Sequence, residues 1–534
     1  MKNFMKACFN SIKACFSGHL VQIILLICIS LVCLYLYLSQ THSYLRFSDG
    51  AKFADIARNI VAGNGYVSSF NFFNTTVLTI PTPQLFEAHN IPPLFPNSIA
   101  LIYRLFGVND VSVVATSSIY YILAVLLSYF IGAKLFSKFV GFLAGITIAV
   151  NINMLDYATS AASEIALIFL ILLTVFLLIQ QKKLYTLVAI GIFFLLYLTR
   201  PQAVIFIFGM IIFIALEKTT IKKVIIVTFL MGVAMLLIDK LMIVPLLSRG
   251  FQAINAQLFT VSPSETLKGA PSSSSFDYVN IARKLFYNTY NFYRRIPDIL
   301  SPYLFFTFII GLFIKERNRL LKNLQLVTLF LVTASVLAAV LTIPFFRYIH
   351  PVVPLIYILG CGALFTIITS TKIKYQNVVI FCLLAIFAIG PSLGVLVVDA
   401  RFKKDQYNFG KAPSYVLLSQ ELKKHTDADD VVLTNLDTWS SWYGERKSIW
   451  LPNSISSVSG LSEKLTVNTI YVTDYLANDE NYLLGEDWKA LLENPESIKE
   501  TSLSSFSDYT LVSIEASETY ENIDAHGVIF KRKD

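Results

Sequence analysis

Long apolar runs separated by short polar segments dominate the first three quarters of the chain. The first run, Leu20 to Leu38, is long enough to cross the core of a bilayer, which takes about twenty helical residues. Later runs fall near residues 111–131, 137–154, 161–180, 184–199, 201–216, 222–247, 298–314, 324–343, 348–370 and 376–398. This pattern predicts an all-α polytopic membrane bundle of about eleven transmembrane helices over residues 20–398, after a tail at residues 1–19.

The segment between the first two runs, residues 39–110, has a different pattern. Apolar residues recur at helical spacing at Phe53, Ile56, Ala57, Ile60 and Val61. Polar residues take the opposite face, at Lys52, Asp55, Arg58 and Asn59. The pattern predicts a short amphipathic helix in the plane of the membrane, capped by Ser48 or Asp49 and ended by Gly63. A second in-plane helix is predicted from Leu94 to Phe106.

The composition and the placement of charge support a membrane protein. Hydrophobic residues make up 55% of the chain and charged residues 15%, which excludes an ordinary soluble protein. The net charge of +8 does not indicate nucleic-acid binding, because the basic residues fall on every second loop between apolar runs. By the positive-inside rule these loops and the tail are cytoplasmic. Loop 39–110 and the C-terminal segment are then on the outer side.

The last part of the chain, residues 399–534, is polar and has no apolar run long enough to span a membrane. Strand-like runs are expected at Val431–Thr434, Ile449–Leu451, Thr469–Val472, Tyr509–Ile514 and Val528–Lys531. They alternate with helical stretches at Ala412–Lys424 and Asp487–Glu493. We therefore predict a small α/β domain outside the membrane.

Two carboxylates are candidates for acid–base chemistry. Asp49 opens the first in-plane helix, where the helix dipole favours an ionised carboxylate able to accept a proton. Glu164 opens the fourth span near bilayer depth, where a carboxylate is costly unless it faces a partner or a cavity. The alternative is that both residues only stabilise the helix ends.

Two arginines lie at outer ends of spans, against the positive-inside bias. Arg200 precedes Pro201, and Arg347 precedes Tyr348. A guanidinium binds phosphate through two parallel hydrogen bonds, which would explain its position at this interface. The alternative is that each side chain only extends to the lipid headgroups. Carboxylates and arginines at one face favour a site for a phosphate-bearing lipid.

A metal ion is a weaker possibility. Glu87 and His89 are two residues apart in loop 39–110 and could bind a divalent metal ion with Asp49 or water. The alternative is that His89 is an ordinary polar loop residue. Asp156, in a short outer loop, is a more exposed acid.

Taken in order, these motifs resemble a known family. The motifs, in chain order, are Ser48-Asp49-Gly50, Ile56-Ala57-Arg58-Asn59-Ile60, Gly65-Tyr66, Pro92-Pro93-Leu94-Phe95-Pro96, Ser163-Glu164, Thr199-Arg200-Pro201 and Arg347-Tyr348. The order and sidedness over residues 20–400 resemble the GT-C glycosyltransferases that use polyprenyl-phosphate donors. Relatives include the aminoarabinose transferase of lipid A and the protein O-mannosyltransferases of glycosyltransferase family 39. At Gly50 the chain departs from many relatives, which have a second acid there.

The resemblance implies a role for several matching positions. Asp49 would be the catalytic base and Glu164 would line the same cavity and assist it. Arg200 and Arg347 would bind the donor phosphate, and Glu87 would match a metal- or substrate-binding residue of the aminoarabinose transferases. Beside these, we expect Tyr348 to bind the donor phosphate and Arg58, Glu87, His89 and Asp156 to bind substrate, with Glu87 and His89 also the candidate metal ligands.

The expected reaction is transfer of a sugar from a polyprenyl-phosphate donor to a hydroxyl of a lipid, glycan or protein acceptor, with inversion. It would take place on the outer face of a plasma or bacterial inner membrane, among membrane lipids. The alternatives are a multi-span lipid or solute transporter, with charges along its pathway, and a non-catalytic receptor. Asp239 and Lys240, inside an apolar run, fit none of these assignments.

Overall fold

The computed structural model describes part of the chain, and the statements below concern that part. It comprises residues 18–39, 41, 43–71, 86–88, 91–218, 229–240 (without 231, 234 and 238), 278–315, 318–342, 345–371, 375–398, 411–452, 454–455, 458, 467–477, 484–496, 509–516, 519, 521 and 524–532.

Helices form most of the described chain up to residue 398. They are α1 His19–Leu38, α2 Ser48–Val61, α3 Leu94–Phe106, α4 Asp110–Leu135, α5 Lys138–Ala149, α6 Ile152–Thr159, α7 Glu164–Leu178, α8 Lys183–Tyr197, α9 Ala203–Lys218, α10 Tyr278–Arg294, α11 Ile296–Ile299, α12 Pro302–Phe313, α13 Arg319–Leu341, α14 Val353–Ser370, α15 Gln376–Leu384 and α16 Gly390–Val398. Short 3₁₀ turns at Phe346–Tyr348 and His350–Val352 precede α14, and a π-helical segment, Ala385–Ile389, joins α15 to α16.

Several of these helices are long and apolar enough to cross a membrane. Five described spans pass this test, and the pair α5 and α6, bent by 60°, makes a sixth if the two count as one. Five further apolar helices have 10–17 residues. The predicted helical membrane bundle is therefore confirmed, whereas the count of about eleven transmembrane helices stays a prediction.

Helix α7 lies at the centre of the bundle. It is apolar around its whole circumference, and most of its residues are buried, as expected of a helix surrounded by others. Helices α4 and α5 cross very closely, because a Cβ atom on Gly132 would lie 2.8 Å from the Cα atom of Gly141. Since α7 begins at Glu164, this carboxylate is placed at one end of the buried centre.

The segment after α1 forms the predicted amphipathic helix, with one correction. Helix α2 starts at Ser48, but its N-cap is Phe47, so the prediction that Ser48 or Asp49 caps it is wrong. On its polar face, Lys52, Asp55 and Asn59 are all buried. Its end is as predicted, because Gly63 follows in the left-handed conformation with φ 86°.

The C-terminal domain is the predicted mixture of strands and helices. Its elements are α17 Ser414–His425, β4 Val431–Thr434, α18 Trp439–Trp442, β5 Lys447–Trp450, β6 Thr469–Thr473, α19 Glu486–Glu493, β7 Tyr509–Ala516 and β8 Ala525–Arg532. Three further short strands come from the segment after α2, namely β1 Val67–Ser68, β2 Phe70–Asn71 and β3 Phe86–Glu87.

One of these short strands belongs to the C-terminal sheet. The strand order is β2-β5-β4-β6-β8-β7, with parallel pairs from β2 to β6 and antiparallel pairs from β6 to β7. Phe70 in β2 pairs with Ser448 in β5. The sequence pattern of residues 399–534 could not indicate this strand, because it lies far upstream.

The two faces of the sheet pack against different parts of the molecule. Side chains alternate along β4, so Leu433 faces Trp488 of α19 in one core while Val432 faces the other way. The core around Val432 also contains Phe53 of α2 and Phe95 of α3. The C-terminal domain and the segment after α1 are thus joined by a common hydrophobic core.

Candidate functional site

Four charged residues predicted from the sequence meet at one end of the helix bundle. Arg347 Nη1 lies 3.0 Å from Asp49 Oδ2 and 3.8 Å from Glu164 Oε1. Arg200 Nη1 lies 2.8 Å from Glu164 Oε2 and donates a hydrogen bond to Ser163 Oγ at 2.9 Å. Segments far apart in sequence thus form one network of ion pairs, which we call the charge cluster (Asp49, Glu164, Arg200 and Arg347).

The close approach of α2 to the turn before α7 places Asp49 in this cluster. A Cβ atom on Gly50 would lie 2.7 Å from the carbonyl oxygen of Ser160 and 3.1 Å from Cβ of Ala161. Only a glycine fits there without displacing the turn. Asp49 lies in the first turn of α2, where the helix dipole favours its carboxylate.

The cluster has an open side and a closed side. The Asp49 side chain is 46% exposed and that of Arg347 is 35% exposed, whereas that of Glu164 is only 2% exposed. Within the described residues, Arg347 Nε and Glu164 Oε1 are buried without a hydrogen-bond partner. Asp49 and Arg347 can therefore meet a ligand, while Glu164 lies beneath them and orients the two arginines.

Electrostatics favour an ionised Asp49 carboxylate. Burial raises the pKa of the Asp49 carboxyl, but Arg347, Arg200 and Lys52 together lower it by more, so that this pKa lies below its ordinary value. Arg347 is also flanked by aromatic rings, with its guanidinium carbon 4.9 Å from the ring centre of Phe345 and 6.0 Å from that of Tyr348. Tyr348, predicted to bind phosphate, thus lies directly beside Arg347.

Two residues of the site were missed by the sequence reasoning. Lys52, one turn after Asp49, is 9% exposed, and burial lowers the pKa of its ammonium although Asp49 and Asp437 raise it. Asp437 belongs to the C-terminal domain, and burial raises the pKa of its carboxyl to about 6. The helical spacing from Asp49 could have indicated Lys52, whereas no sequence signal connects Asp437 to α2.

Asp156 pairs with a partner outside the charge cluster. Arg46 Nη2 lies 3.2 Å from Asp156 Oδ1, and the Tyr37 hydroxyl donates a hydrogen bond to the same oxygen at 2.9 Å. The next residue, Tyr157, forms a buried hydrogen bond with Nδ1 of His350. Arg46 and His350 are further polar residues near this end of the bundle that the sequence did not single out.

Arg58 contacts the C-terminal domain. Its Nη2 donates to Asp55 Oδ1 at 2.7 Å and to the carbonyl oxygen of Ser441 at 2.9 Å. The guanidinium carbon also lies 5.1 Å from the ring centre of Trp442. This placement indicates a role at the domain interface, while the predicted substrate contact of Arg58 stays a prediction.

The side chains of both candidate metal ligands lie outside the part of the chain that the structure describes. Glu87 is described as a backbone position of β3, paired with Val67 of β1, and His89 lies outside the described residues. Among the described residues, no group of three or more His, Cys, Asp or Glu side chains is arranged to hold a metal ion. Asp239, which fitted no assignment, accepts a hydrogen bond from the Tyr197 hydroxyl at 2.8 Å.

Part of the chain matches a known protein family by sequence. Residues 90–243 match the sequence model of the family described as dolichyl-phosphate-mannose-protein mannosyltransferase. No curated protein matches the chain by sequence.

The fold is similar to those of solved membrane enzymes. The apo oligosaccharyltransferase of Archaeoglobus fulgidus matches with a TM-score of 0.57 at 14% identity, over 88% of this chain and 71% of that one. The same organism's AglB, solved with an inhibitory peptide and a dolichol-phosphate, matches at 0.56 and 13%, over 95% and 74%. ArnT from Cupriavidus metallidurans, bound to undecaprenyl phosphate, matches at 0.55 and 12%, over 96% and 98%.

Proposed function

We propose that this chain is a GT-C glycosyltransferase, which transfers one sugar from a polyprenyl-phosphate carrier to a hydroxyl of an acceptor, with inversion at the anomeric carbon. The family match over residues 90–243 and the similarity of the fold to those of an oligosaccharyltransferase and of ArnT support this proposal. The ion pair between Asp49 and Arg347 carries this proposal. It brings a carboxylate able to accept a proton and a guanidinium able to bind phosphate into direct contact on the open side of the cluster.

The charges around the site suit an anionic donor. Lys52, Arg200 and Arg347 supply three positive charges close to the carboxylates of Asp49 and Glu164. The Arg347 side chain is 35% exposed, so its guanidinium can donate hydrogen bonds to a phosphate oxygen. Tyr348 adds a hydroxyl beside Arg347, in the position proposed for phosphate binding.

In the proposed reaction, Asp49 accepts the proton of the acceptor hydroxyl as its oxygen attacks the anomeric carbon. The bond from that carbon to the phosphate oxygen breaks, and the electron pair leaves with the polyprenyl phosphate. Arg347 and Arg200 stabilise the charge that develops on the departing phosphate. A positioned base contributes about 10²–10⁴-fold to such a rate, and the single displacement inverts the anomeric carbon.

We place this reaction at the outer face of a plasma or bacterial inner membrane, with the N-terminus in the cytoplasm and the C-terminal domain outside. The meeting of Asp49, Glu164, Arg200 and Arg347 at one end of the bundle supports this sidedness, because all were assigned to the same side. The tail of the donor would lie against the apolar helices. The acceptor would be a lipid, glycan or protein presented at that surface.

Donor turnover tests the proposal. The full-length protein, purified in detergent, is given short-chain polyprenyl-phosphate sugars with candidate acceptors, and donor loss and product are followed by mass spectrometry. We expect turnover of one donor by the wild type and a loss of about 10²–10⁴-fold in kcat for Asp49→Asn. Asp298→Asn, at an exposed pair elsewhere, is the matched control.

Each result decides a separate point. Equal turnover by wild type and Asp49→Asn would support the transferase reaction and show that Asp49 is not its base. Failure of the wild type with every donor and acceptor extract would overturn the proposed reaction and favour a transporter. The anomeric configuration of the product, read by NMR, tests inversion.

A further inference from the structure

We propose that the C-terminal domain forms part of the candidate active site, with Thr438 as a positioning residue that fixes the first turn of α2 and with it Asp49. The inference rests on the function proposed above, in which Asp49 is the base. It assigns a role in the reaction to a domain in which the sequence indicated no catalytic motif.

The contact that carries the inference is a hydrogen bond between the C-terminal domain and α2. Thr438 Oγ1 donates to the carbonyl oxygen of Ser48 at 2.7 Å, and Ser48 is the first residue of α2. In an α-helix this oxygen accepts the N–H four residues later, and its second lone pair remains available. The hydroxyl can therefore hold the turn without opening the helix. Thr438 is 1% exposed, so the interface shields this hydrogen bond from water.

Thr438 makes this contact instead of the one that is usual at its position. It is the N-cap residue of the short helix α18, where a threonine side chain commonly accepts a hydrogen bond from an N–H of its own helix. Within the described residues, its side chain makes no such capping bond. The hydroxyl is directed across the interface to Ser48, so it stabilises α2 rather than α18.

The segment that carries Thr438 is itself held in place. It follows β4, at the carboxyl edge of the parallel strands of the sheet. Asn435 Nδ2 donates to the carbonyl oxygen of Thr473, and the Thr473 N–H donates to Asn435 Oδ1, both at 2.8 Å. Asp437 has a φ of 56°, and its Oδ1 accepts the Thr438 N–H at 2.7 Å. Such left-handed conformations persist where surrounding contacts hold them, so the sheet determines where the Thr438 hydroxyl lies.

Asp49 lies between two neighbours that different parts of the molecule hold. Ser48 is bound by the C-terminal domain through Thr438. Gly50 lies against the turn before α7, where a Cβ atom would be 2.7 Å from the Ser160 carbonyl oxygen. The Asp49 side chain itself is 46% exposed. The position of its carboxylate therefore depends on the backbone on either side, and Thr438 fixes one of these sides.

The test is donor turnover by Thr438→Val in the full-length protein, in the assay described above. Valine has the shape of threonine without its hydroxyl. A displacement of about 1 Å can cost about 10²-fold in rate, and one contact of several should cost part of this, so we expect kcat to fall about 10-fold. KM should stay unchanged, because Asp49 accepts its proton only in the transition state. Thr438→Ser retains the hydroxyl and should retain the wild-type kcat.

Tyr415→Phe is the matched control. The Tyr415 hydroxyl donates to the carbonyl oxygen of Leu45, also at 2.7 Å, and so makes a second hydrogen bond from the C-terminal domain to the chain ahead of Asp49. Leu45 precedes α2, so the loss of this bond should leave kcat unchanged. Equal losses of kcat in Thr438→Val and Tyr415→Phe would mean that any loosening of the interface lowers turnover, and would overturn the inference.

A double-variant cycle tests whether Thr438 acts through Asp49. If it does, Thr438→Val lowers the kcat of the wild type but not that of Asp49→Asn, because the base that it positions is already absent. The same fold-loss in both backgrounds means that the two residues act independently, and it overturns the inference. A wild-type kcat in folded Thr438→Val overturns it as well.

The unfolding midpoint of each variant is measured beside these rates. Thr438→Ala replaces Thr438→Val if the latter does not fold, since the smaller side chain fits the same buried space. If neither variant folds, Thr438 serves the fold and the inference is overturned. These outcomes all presuppose an active wild type, whereas absence of wild-type turnover contradicts the proposed function itself, so the two failures are distinguishable.

Discussion

The pair of Glu164 and Arg200 predicts a large loss of stability from one substitution. Arg200→Gln leaves a carboxylate that is 2% exposed, with Arg347 Nη1 at 3.8 Å as its remaining cation. Breaking a buried ion pair costs about 3–5 kcal/mol, because the charge left behind stays buried without its partner. Since Arg347 remains and the start of α7 favours a carboxylate, we expect the lower end, about 3 kcal/mol.

A pair of nearly equal length provides the matched control. Arg295 Nε lies 2.9 Å from Asp298 Oδ2, but these side chains are 52% and 58% exposed. Exposed pairs contribute about 0–1 kcal/mol, so Arg295→Gln should change the free energy of unfolding by no more than that. Comparing the two substitutions separates the effect of burial from that of pair geometry.

Unfolding can be followed through buried thiols. Cys33 and Cys361 are buried in the helix bundle, and a thiol-reactive fluorescent dye reports their exposure once the other four cysteines are replaced. We expect the midpoint of thermal unfolding to fall clearly for Arg200→Gln and to change little for Arg295→Gln.

Two results would refute this reasoning. Equal losses for Arg200→Gln and Arg295→Gln would mean that burial of the Glu164 charge does not decide the cost. A double variant, Arg200→Gln with Glu164→Gln, should recover part of the stability, because no charge is then left unpaired. If it is no more stable than Arg200→Gln, the unpaired carboxylate is not the cause.

Three further predictions follow from the same region. Gly50→Ala should lower both the unfolding midpoint and donor turnover, because its Cβ would lie 2.7 Å from the Ser160 carbonyl oxygen. Gly191→Ala is the control and should leave both quantities unchanged, because a Cβ there would have no atom within 4 Å. Asp49→Asn should lower the free energy of unfolding by less than about 1 kcal/mol, because the ion pair of Asp49 with Arg347 is partly exposed. Thermal unfolding measures this change, and a larger loss would mean that Asp49 mainly stabilises the fold.

The third prediction concerns the dependence of stability on pH. The folded-state pKa of Asp437 is raised to about 6, so the folded protein binds this proton more tightly than the unfolded chain. The resulting stabilisation is present below about pH 4 and is lost as the pH rises through about 6. Unfolding midpoints measured across this window should therefore fall less for Asp437→Asn than for the wild type, and parallel curves would contradict the prediction.

Local patterns were sufficient for much of the fold. The strand β4 was predicted with its observed bounds, as was α3, because alternation and helical periodicity act over a few residues. The charges of Asp49, Glu164, Arg200 and Arg347 could be assigned to one side because membrane topology restricts where such residues lie. The fold then brings these residues into direct ion pairs, Arg200 with Glu164 and Arg347 with Asp49.

What the sequence could not predict depends on contacts between distant segments. The helical pattern assigned Lys52 and Arg58 to the polar face of α2, but it did not indicate that Lys52 is buried or that Arg58 contacts Ser441 of the C-terminal domain. Asp437 lies in a segment without a recognisable motif, and only the docking of Thr438 on Ser48 brings it to the site. Periodicity contains no information on which surface a second domain will cover.

The strand that residues 70–71 contribute to the C-terminal sheet makes the order of synthesis matter for this protein. Ser48 and its partner Thr438 are 390 residues apart in the chain. At a synthesis rate of about 5–20 residues per second, roughly 20–80 s separate the appearance of the two. During that interval β2 has no neighbouring strand β5 to pair with. A nascent chain therefore carries Asp49 and β2 long before the domain that packs against them is made, and premature termination ahead of β5 would leave β2 without its partner strand.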